Sequence, residues 1–163
     1  MFNIVLIAPE IPQNTGNIGR ICVNNDCTLH IVYPIGFSLE EKYVKRAGLD
    51  YWKYLNLKLY DNVDEFLSFC EFKDLFIFTT KATKFIWECH IKPDSYLVFG
   101  NESSGLPEKF HNKFKENAYK IPMIGKNARS LNLANAISIV VYEGIRQNKT
   151  SFLSNYPAKK SFF

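Results

Sequence analysis

Short apolar runs alternate with segments of helical periodicity along almost the whole chain, and this alternation restricts the possible folds more than any other feature. It is typical of an α/β domain in which a mostly parallel sheet carries helices on both faces. The predicted strands are Asn3–Ala8, Leu29–Tyr33, Leu57–Tyr60, Leu75–Thr79, Tyr96–Phe99 and Tyr119–Ile121. The predicted helices are Thr15–Asn25, Leu39–Arg46, Val63–Phe69, Pro107–Phe114 and Leu131–Gln147. The last helix is the most apolar, so we expect it to lie deep, against the sheet or a second subunit.

A chain of 163 residues fits one domain, and its 47% hydrophobic and 22% charged residues are an ordinary globular composition. We assign residues 1–150 to that domain and residues 151–163 to a weakly ordered tail. No stretch of about 18 uncharged apolar residues occurs, so no membrane association is expected. The amino terminus lacks the basic region and cleavage site of a signal peptide, which favours a cytoplasmic location.

Cysteine spacing and net charge say little about function. Four cysteines form no C-x-x-C pair and lie near no histidine at zinc-ligand spacing, so we expect buried, reduced thiols and no metal site. The net charge of +4 is too small to identify a nucleic-acid-binding protein. Several basic residues nevertheless fall in or beside predicted loops, although each could be an ordinary surface residue. They are Lys42, Lys45, Arg46, Lys81, Lys84, Lys126 and Arg129.

Polar segments follow three predicted strands, at the sheet edge where open α/β sheets bind ligands. In the first, residues 9–20, two prolines predict an extended loop, and Asn14 or Thr15 is placed to cap the next helix. Asn17 and Arg20 then lie one turn apart on one helix face. The segment matches neither G-x-G-x-x-G nor the P-loop. An ordinary surface or ion-pairing role for Arg20 is equally well supported.

The second and third segments are also richer in polar residues and glycine than a simple turn requires. Gly100–Gly105 places four polar residues between two glycines, which indicates a tight loop whose backbone approaches another group. In the third, Ser130 is placed to cap the last helix, with Asn132 and Asn135 in its first turn. Three polar loops at one sheet edge predict a ligand site more strongly than any of them alone.

These segments together resemble the three motifs of SpoU-type SPOUT RNA 2′-O-ribose methyltransferases. The matching stretches, in order, are N-T-G-N-I-G-R, F-G-N-E-S-S-G-L-P, and I-P-M followed by S-L-N-L-A-N-A. The resemblance covers about residues 3–147. The lack of an added RNA-binding domain, with R-A-G-L-D-Y at Arg46–Tyr51 and T-T-K at Thr79–Lys81, is most similar to the minimal TrmL (YibK) branch. That branch methylates the pyrimidine nucleotide 34 of leucine tRNAs.

The resemblance implies a SPOUT fold with a deep trefoil knot at about residues 75–147, and a homodimer joined through the first and last helices. It also implies S-adenosylmethionine as cofactor, S-adenosylhomocysteine as product and tRNA as partner. The residues expected at the cofactor are Phe78, Thr79, Gly100, Ile121, Met123, Ser130 and Leu131. Those expected in catalysis are Arg20, Asn17, Glu102, Ser130 and Asn132. Those expected to bind RNA are Arg20, Lys81, Lys126 and Arg129, with Lys84 more weakly supported.

Arg20 is the residue that the resemblance associates with deprotonation of the ribose hydroxyl. A protonated guanidinium has no acceptor and a pKa above about 12, so we favour a different role. Arg20 would grip a phosphate and stabilise the developing alkoxide. Three alternatives remain: a related enzyme for another tRNA or rRNA position, a non-catalytic RNA-binding or ribosome-assembly factor that keeps the knot, and a plain nucleotide-binding α/β protein.

Overall fold

The computed structural model describes residues 1–39, 50–70 and 74–154. Within these ranges the strands form one parallel sheet of seven strands, in the order β3-β2-β1-β6-β4-β7-β5. The strands are β1 (Asn3–Ile7), β2 (Thr28–Val32), β3 (Asn56–Tyr60), β4 (Leu75–Phe78), β5 (Lys84–Phe85), β6 (Tyr96–Phe99) and β7 (Ala118–Lys120). The helices are α1 (Pro12–Asn24), α2 (Val63–Phe69), α3 (Glu108–Lys113), α4 (Leu133–Gln147) and α5 (Lys149–Leu153).

Helices cover both faces of the sheet, as the alternation of apolar runs predicts. Successive residues of β1 point to opposite faces, with Ile4 and Leu6 in one buried cluster and Val5 and Ile7 in another. Apolar residues of α1 and α4 fill the first cluster, and those of α2 and α3 fill the second. The central strands are therefore buried on both sides, which explains why they read as continuous apolar runs.

The predicted strands are confirmed to within a residue at each end, and α2 has the predicted bounds. The two-residue strand β5 was not predicted, because it is too short for periodicity and begins with a lysine. The predicted start of α1 at Thr15 is wrong: the helix begins at Pro12, since proline is well suited to a first helical position. Pro107 lies one residue before α3 rather than in its first turn.

Some predictions fall on residues outside the described ranges. These include residues 40–46 of the predicted second helix, with Lys42, Lys45 and Arg46, and residues 155–163 of the predicted tail. The described part of the tail continues into α5, where the Phe152 ring packs edge-on against Phe2 with centroids 5.3 Å apart. No helix in the described ranges is long and apolar enough to cross a membrane.

The four cysteines are buried thiols that form no disulfide bond, as predicted. Burial raises the pKa of Cys27 to about 11 and that of Cys89 to about 12. Both thiols are therefore protonated at neutral pH and behave as small apolar groups.

His30 is a fully buried titratable group in β2, the strand next to the edge strand β3. Its Nδ1 lies 2.8 Å from the Tyr60 hydroxyl and its Nε2 lies 3.1 Å from Oδ1 of Asn3. The amide oxygen of Asn3 can only accept, so Nε2 carries the proton and the Tyr60 hydroxyl donates to Nδ1. Burial, assisted by the charge of Lys58, lowers the pKa of His30 from 6.5 to about 4. The folded protein therefore holds this imidazole neutral.

We expect this buried imidazole to make the fold sensitive to mild acid. Below about pH 6.5 the unfolded chain takes up a proton at His30 that the folded chain does not bind until about pH 4, so stability falls as the pH falls through this window. Between pH 7 and pH 4.5 the loss from this group is about 2–3 kcal/mol. Urea unfolding of the wild type and of His30→Gln at both pH values measures it. Equal pH dependence in the two proteins would contradict the assignment.

Candidate functional site

A cleft of about 420 Å³ opens at the carboxyl ends of β6, β4 and β7, which are adjacent in the sheet. Its walls come from the segments that follow these three strands, and from the beginning of α1. Because parallel strands end at the same edge, segments far apart in sequence converge there. The volume and the mixture of apolar walls with a few polar groups are typical of a small-molecule site.

The loop after β6 turns back tightly on itself. A Cβ atom on Gly100 would lie 2.0 Å from the carbonyl carbon of Gly105 and 2.2 Å from the nitrogen of Leu106, so only glycine fits. The side-chain oxygen of Asn101 accepts hydrogen bonds from the Ser104 N–H at 2.7 Å and the Gly105 N–H at 3.1 Å. Gly105 has a φ of 72°, which favours glycine. This tight loop therefore lines the cleft along its whole length, from Gly100 to Gly105.

Glu102 joins this loop to the start of α1. Its carboxylate accepts hydrogen bonds from the Glu10 N–H at 2.9 Å, from the Ile11 N–H at 3.3 Å and from Nδ2 of Asn14 at 2.8 Å. A carboxylate is favourable at this position because a helix start has unpaired N–H groups and a partial positive charge. The carboxylate thus positions the first and second polar loops relative to each other, across the boundary between β1 and β6.

Asn132 extends the same network to the third polar loop. Its Nδ2 donates to Oδ1 of Asn14 at 2.8 Å, and its Oδ1 accepts from the Ala134 N–H at 2.9 Å. Asn132 is therefore the cap of α4, and the predicted cap at Ser130 is wrong. Serine and asparagine cap helices about equally well, so the sequence alone did not separate them. Ser130 instead lines the cleft, and Asn135 is exposed.

Asn14 is a site residue whose role the sequence does not reveal. It was predicted to be a cap, with Thr15 as the alternative, but the residue at the cap position is Ile11, whose side chain makes no capping bond. Asn14 lies in the first turn, only 5% exposed, and links Glu102 to Asn132. An asparagine near a helix start is too common in sequences to indicate this role.

His111 of α3 also lines the cleft and was not predicted as a site residue. Its Nε2 is buried and has no hydrogen-bond partner among the described residues. A buried polar atom normally has a partner, so this nitrogen is available to a ligand in the cleft. Nothing in the sequence around His111 distinguishes it from a histidine on any other short helix.

Arg20 and Asn17 are exposed on α1 and do not line the cleft. The Arg20 guanidinium carbon lies 5.0 Å from the centroid of the Tyr51 ring. The Tyr51 hydroxyl in turn donates to the carbonyl oxygen of Gly16 at 2.7 Å. The Arg20 guanidinium is therefore held against a ring that is itself hydrogen-bonded to α1. This contact restricts the positions that the guanidinium can take.

The expected cofactor residues, unlike Arg20, all lie in one place. The described lining of the cleft includes Phe78, Thr79, Gly100, Ile121, Met123, Ser130 and Leu131. Glu102, Asn132 and Lys81 line it too, whereas Lys126 and Arg129 are exposed in the loop after β7. The described residues contain no cluster of three histidine, cysteine or acidic side chains that could hold a metal ion. A ligand with an apolar ring and hydrogen-bonding edges fits these walls.

Comparison with known proteins gives a consistent result. Residues 1–142 match the model of the SpoU rRNA Methylase family. The chain is 47% identical, over 90% of its length and 96% of the relative's, to a tRNA (cytidine(34)-2′-O)-methyltransferase of Saccharophagus degradans. It is also similar to a solved structure that concerns the 2-OH methylation of C/U34 on tRNA, with a TM-score of 0.85, 41% identity, and coverage of 91% and 97%.

A more distant solved structure shares the fold alone. It is the SpoU methyltransferase AviRb from Streptomyces viridochromogenes in complex with the cofactor AdoMet, with a TM-score of 0.77 and 21% identity. The match covers 91% of this chain and 58% of the other.

Proposed function

The chain belongs to the SpoU rRNA Methylase family, and on that premise we propose that this RNA methyltransferase methylates the 2′-oxygen of cytidine or uridine 34 in tRNA, with leucine tRNAs as its substrates. The observation that carries the proposal is the convergence of all seven expected cofactor residues on one cleft. The Saccharophagus relative, named for modification at cytidine 34, supports the choice of nucleotide. A cytoplasmic location is part of the proposal, because the substrate is tRNA.

The cleft fits S-adenosylmethionine by its chemistry. The stacked rings of Phe78 and Phe99, 5.2 Å apart, provide an apolar wall, and the tight loop that begins at Gly100 lines the cleft at the same edge. The unpartnered Nε2 of His111 offers one further polar contact. Bound there, the cofactor supplies a methyl group on a sulfonium, which is a strong electrophile and leaves S-adenosylhomocysteine. The chain's own residues have to align the ribose oxygen and accommodate the loss of its proton.

We assign Glu102 and Asn132 to positioning roles, together with Asn14. Their hydrogen bonds hold the loops of the cleft against α1, the helix that carries Asn17 and Arg20. Arg20 would meet a phosphate or the developing alkoxide of the target nucleotide rather than remove its proton. Lys81, at the cleft, and Lys126 and Arg129, beside it, would bind the tRNA backbone.

A homodimer is the form we propose for the active enzyme. Ile139 and Tyr142 lie three residues apart on α4 and are 42% and 58% exposed. Exposed apolar residues close together on one helix support a contact with a second subunit. Because α1 packs beside α4, such a contact would bring the partner's α1 close to the cleft, and Arg20 of one subunit could then act in the site of the other.

The proposed function is tested by transfer of labelled methyl groups to total tRNA, followed by mass spectrometry of leucine tRNAs. We expect one 2′-O-methyl group at nucleotide 34. The matched control is an anticodon stem-loop with a 2′-deoxy sugar at that position, which should accept no label. Methylation at another tRNA position or on rRNA would overturn the choice of nucleotide. Cofactor binding without transfer to any RNA would favour the non-catalytic RNA-binding factor.

Binding of tRNA should weaken steeply with salt, since phosphate contacts release counterions. For three or four such contacts, raising the salt from about 50 to 200 mM should lower the affinity about ten- to a hundredfold. Filter binding measures this dependence, which Lys126→Gln and Arg129→Gln should each make shallower. Lys58→Gln is the control, because Lys58 lies in β3 at the opposite edge of the sheet from β5. A flat salt response in the wild type would contradict the basic surface.

A further inference from the structure

Two aromatic rings are stacked at the outer edge of the sheet, outside the cleft. The rings of Phe85 and Trp87 have centroids 4.8 Å apart and planes inclined by 21°. The Nζ atom of Lys120 lies 5.0 Å from the centroid of the Phe85 ring. Although Phe85 is in contact with it, Trp87 remains 57% exposed. We name Phe85, Trp87 and Lys120 the edge platform.

The register of the sheet places the edge platform level with the cleft. Phe85 pairs with Lys120 of β7, and Lys84 and Phe78 both pair with Tyr119. The platform is thus two strands away from β4, a distance of about 10 Å at the usual strand spacing. The residue after Phe78 and the residue after Lys120 both line the cleft. The platform therefore continues the ligand-binding edge of the sheet outward.

The charges beside the platform favour a polyanion. Lys120 contributes positive charge over the Phe85 ring, and Lys81 contributes it at the cleft. Two carboxylates of the described residues lie nearby: Glu88 accepts from the Phe85 N–H at 2.5 Å and keeps its charge, and Glu116 lies 3.4 Å from Nζ of Lys84. The three lysines at positions 81, 84 and 120 outnumber these two carboxylates. An exposed indole stacked on a second ring, with a lysine over that second ring, suits the stacking of an unpaired base whose phosphate meets the lysine.

We propose that the edge platform binds an unstacked base of the RNA substrate, from a nucleotide near the one whose ribose enters the cleft. The base stacks on the exposed Trp87 indole, and Lys120 meets the adjoining phosphate. This inference rests on the proposed function, because it concerns how the same tRNA is held. It adds a base contact that is independent of the cofactor cleft.

The first test compares Trp87→Ala with Trp87→Phe in binding to an anticodon stem-loop. Loss of one stacked base should weaken binding about five- to a hundredfold in Trp87→Ala, whereas Trp87→Phe keeps a ring and should stay within a few-fold of the wild type. Affinity for S-adenosylhomocysteine should not change, and the melting temperature of Trp87→Ala should fall by only a few degrees, because the lost stack with Phe85 is worth about 1 kcal/mol. The salt dependence should also stay the same, because no charge is removed. Binding by Trp87→Ala within twofold of the wild type would overturn the proposal.

A series of stem-loops with one abasic nucleotide each locates the contact. At the stacked nucleotide, base removal should weaken the wild type as much as Trp87→Ala does, and the two losses should not add. If the affinity losses from base removal and from Trp87→Ala add at every loop position, the proposal is overturned. It is also overturned if Trp87→Ala no longer forms a dimer and loses its RNA affinity for that reason. Failure of the proposed function gives a different result, because the wild type would then methylate another nucleotide. The loss of affinity that Trp87→Ala causes could still be measured on the RNA that carries that nucleotide.

Discussion

Arg20→Ala should lower the rate of methyl transfer about a hundred- to a thousandfold, with cofactor affinity and fold unchanged. Removing one preorganised donor from a transition-state charge has about this effect in other enzymes. Arg20 is exposed and lies outside the cleft, so neither stability nor cofactor binding depends on it directly. Single-turnover transfer to substrate tRNA, with calorimetry of S-adenosylhomocysteine binding, separates these quantities.

Arg20→Lys is the matched control for this variant. It keeps the charge but loses the planar fork of donors, so we expect it to recover only part of the rate. If Arg20 positions charge without accepting a proton, the pH profile of the remaining activity in Arg20→Ala should keep the wild-type shape. Transfer at a near-wild-type rate by a folded Arg20→Ala protein would exclude the catalytic role.

Gly100→Ala should lower the affinity for S-adenosylhomocysteine at least a hundredfold and destabilise the fold by several kcal/mol. The added Cβ would lie 2.0 Å from a backbone carbon of Gly105, a distance that no movement of side chains can relieve. The loop after β6 would have to move away from the cleft that it lines, which places this substitution among the strongly destabilising ones. Calorimetry and urea unfolding measure the two effects.

Two other glycines provide controls for this substitution. A Cβ on Gly36 would meet no atom within 4 Å, and one on Gly125 would come no closer than 3.9 Å to its neighbours. Gly36→Ala and Gly125→Ala should therefore bind the cofactor product as the wild type does. Equal affinity in Gly100→Ala would show that the loop after β6 does not form the cofactor site.

The positions of the strands and of the ligand-binding edge could be predicted from sequence for one physical reason. Strands buried on both faces must be apolar throughout, so polar residues gather where the strands end. The three polar loops then had to meet, because the carboxyl ends of parallel strands share an edge. The glycines of the loop after β6 were also predictable, since two glycines around four polar residues indicate a close backbone approach.

The hydrogen bonds within the site could not be predicted in the same way. Asn14 and Thr15 are adjacent in the sequence, and Ser130 and Asn132 are two residues apart. The two members of each pair cap helices about equally well. Which member forms the hydrogen bonds across the site depends on where its helix begins, a choice made by tertiary packing. The edge platform could not be predicted, because β5 is too short to show the alternation of apolar and polar residues that indicates a strand. The knot remains a prediction, because strand order and register do not trace it.

The hydrogen bonds of Asn14 also have a consequence for how the protein folds. Asn14 contacts residues 88 and 118 positions further along the chain, so its bonds form only after both ends of the domain have come together. Contacts of such long range are costly to close and tend to form late. Formation of these bonds and completion of the cofactor cleft are then the same step. A chain that has not finished folding cannot hold the cofactor, and the bound cofactor in turn keeps the finished chain from opening.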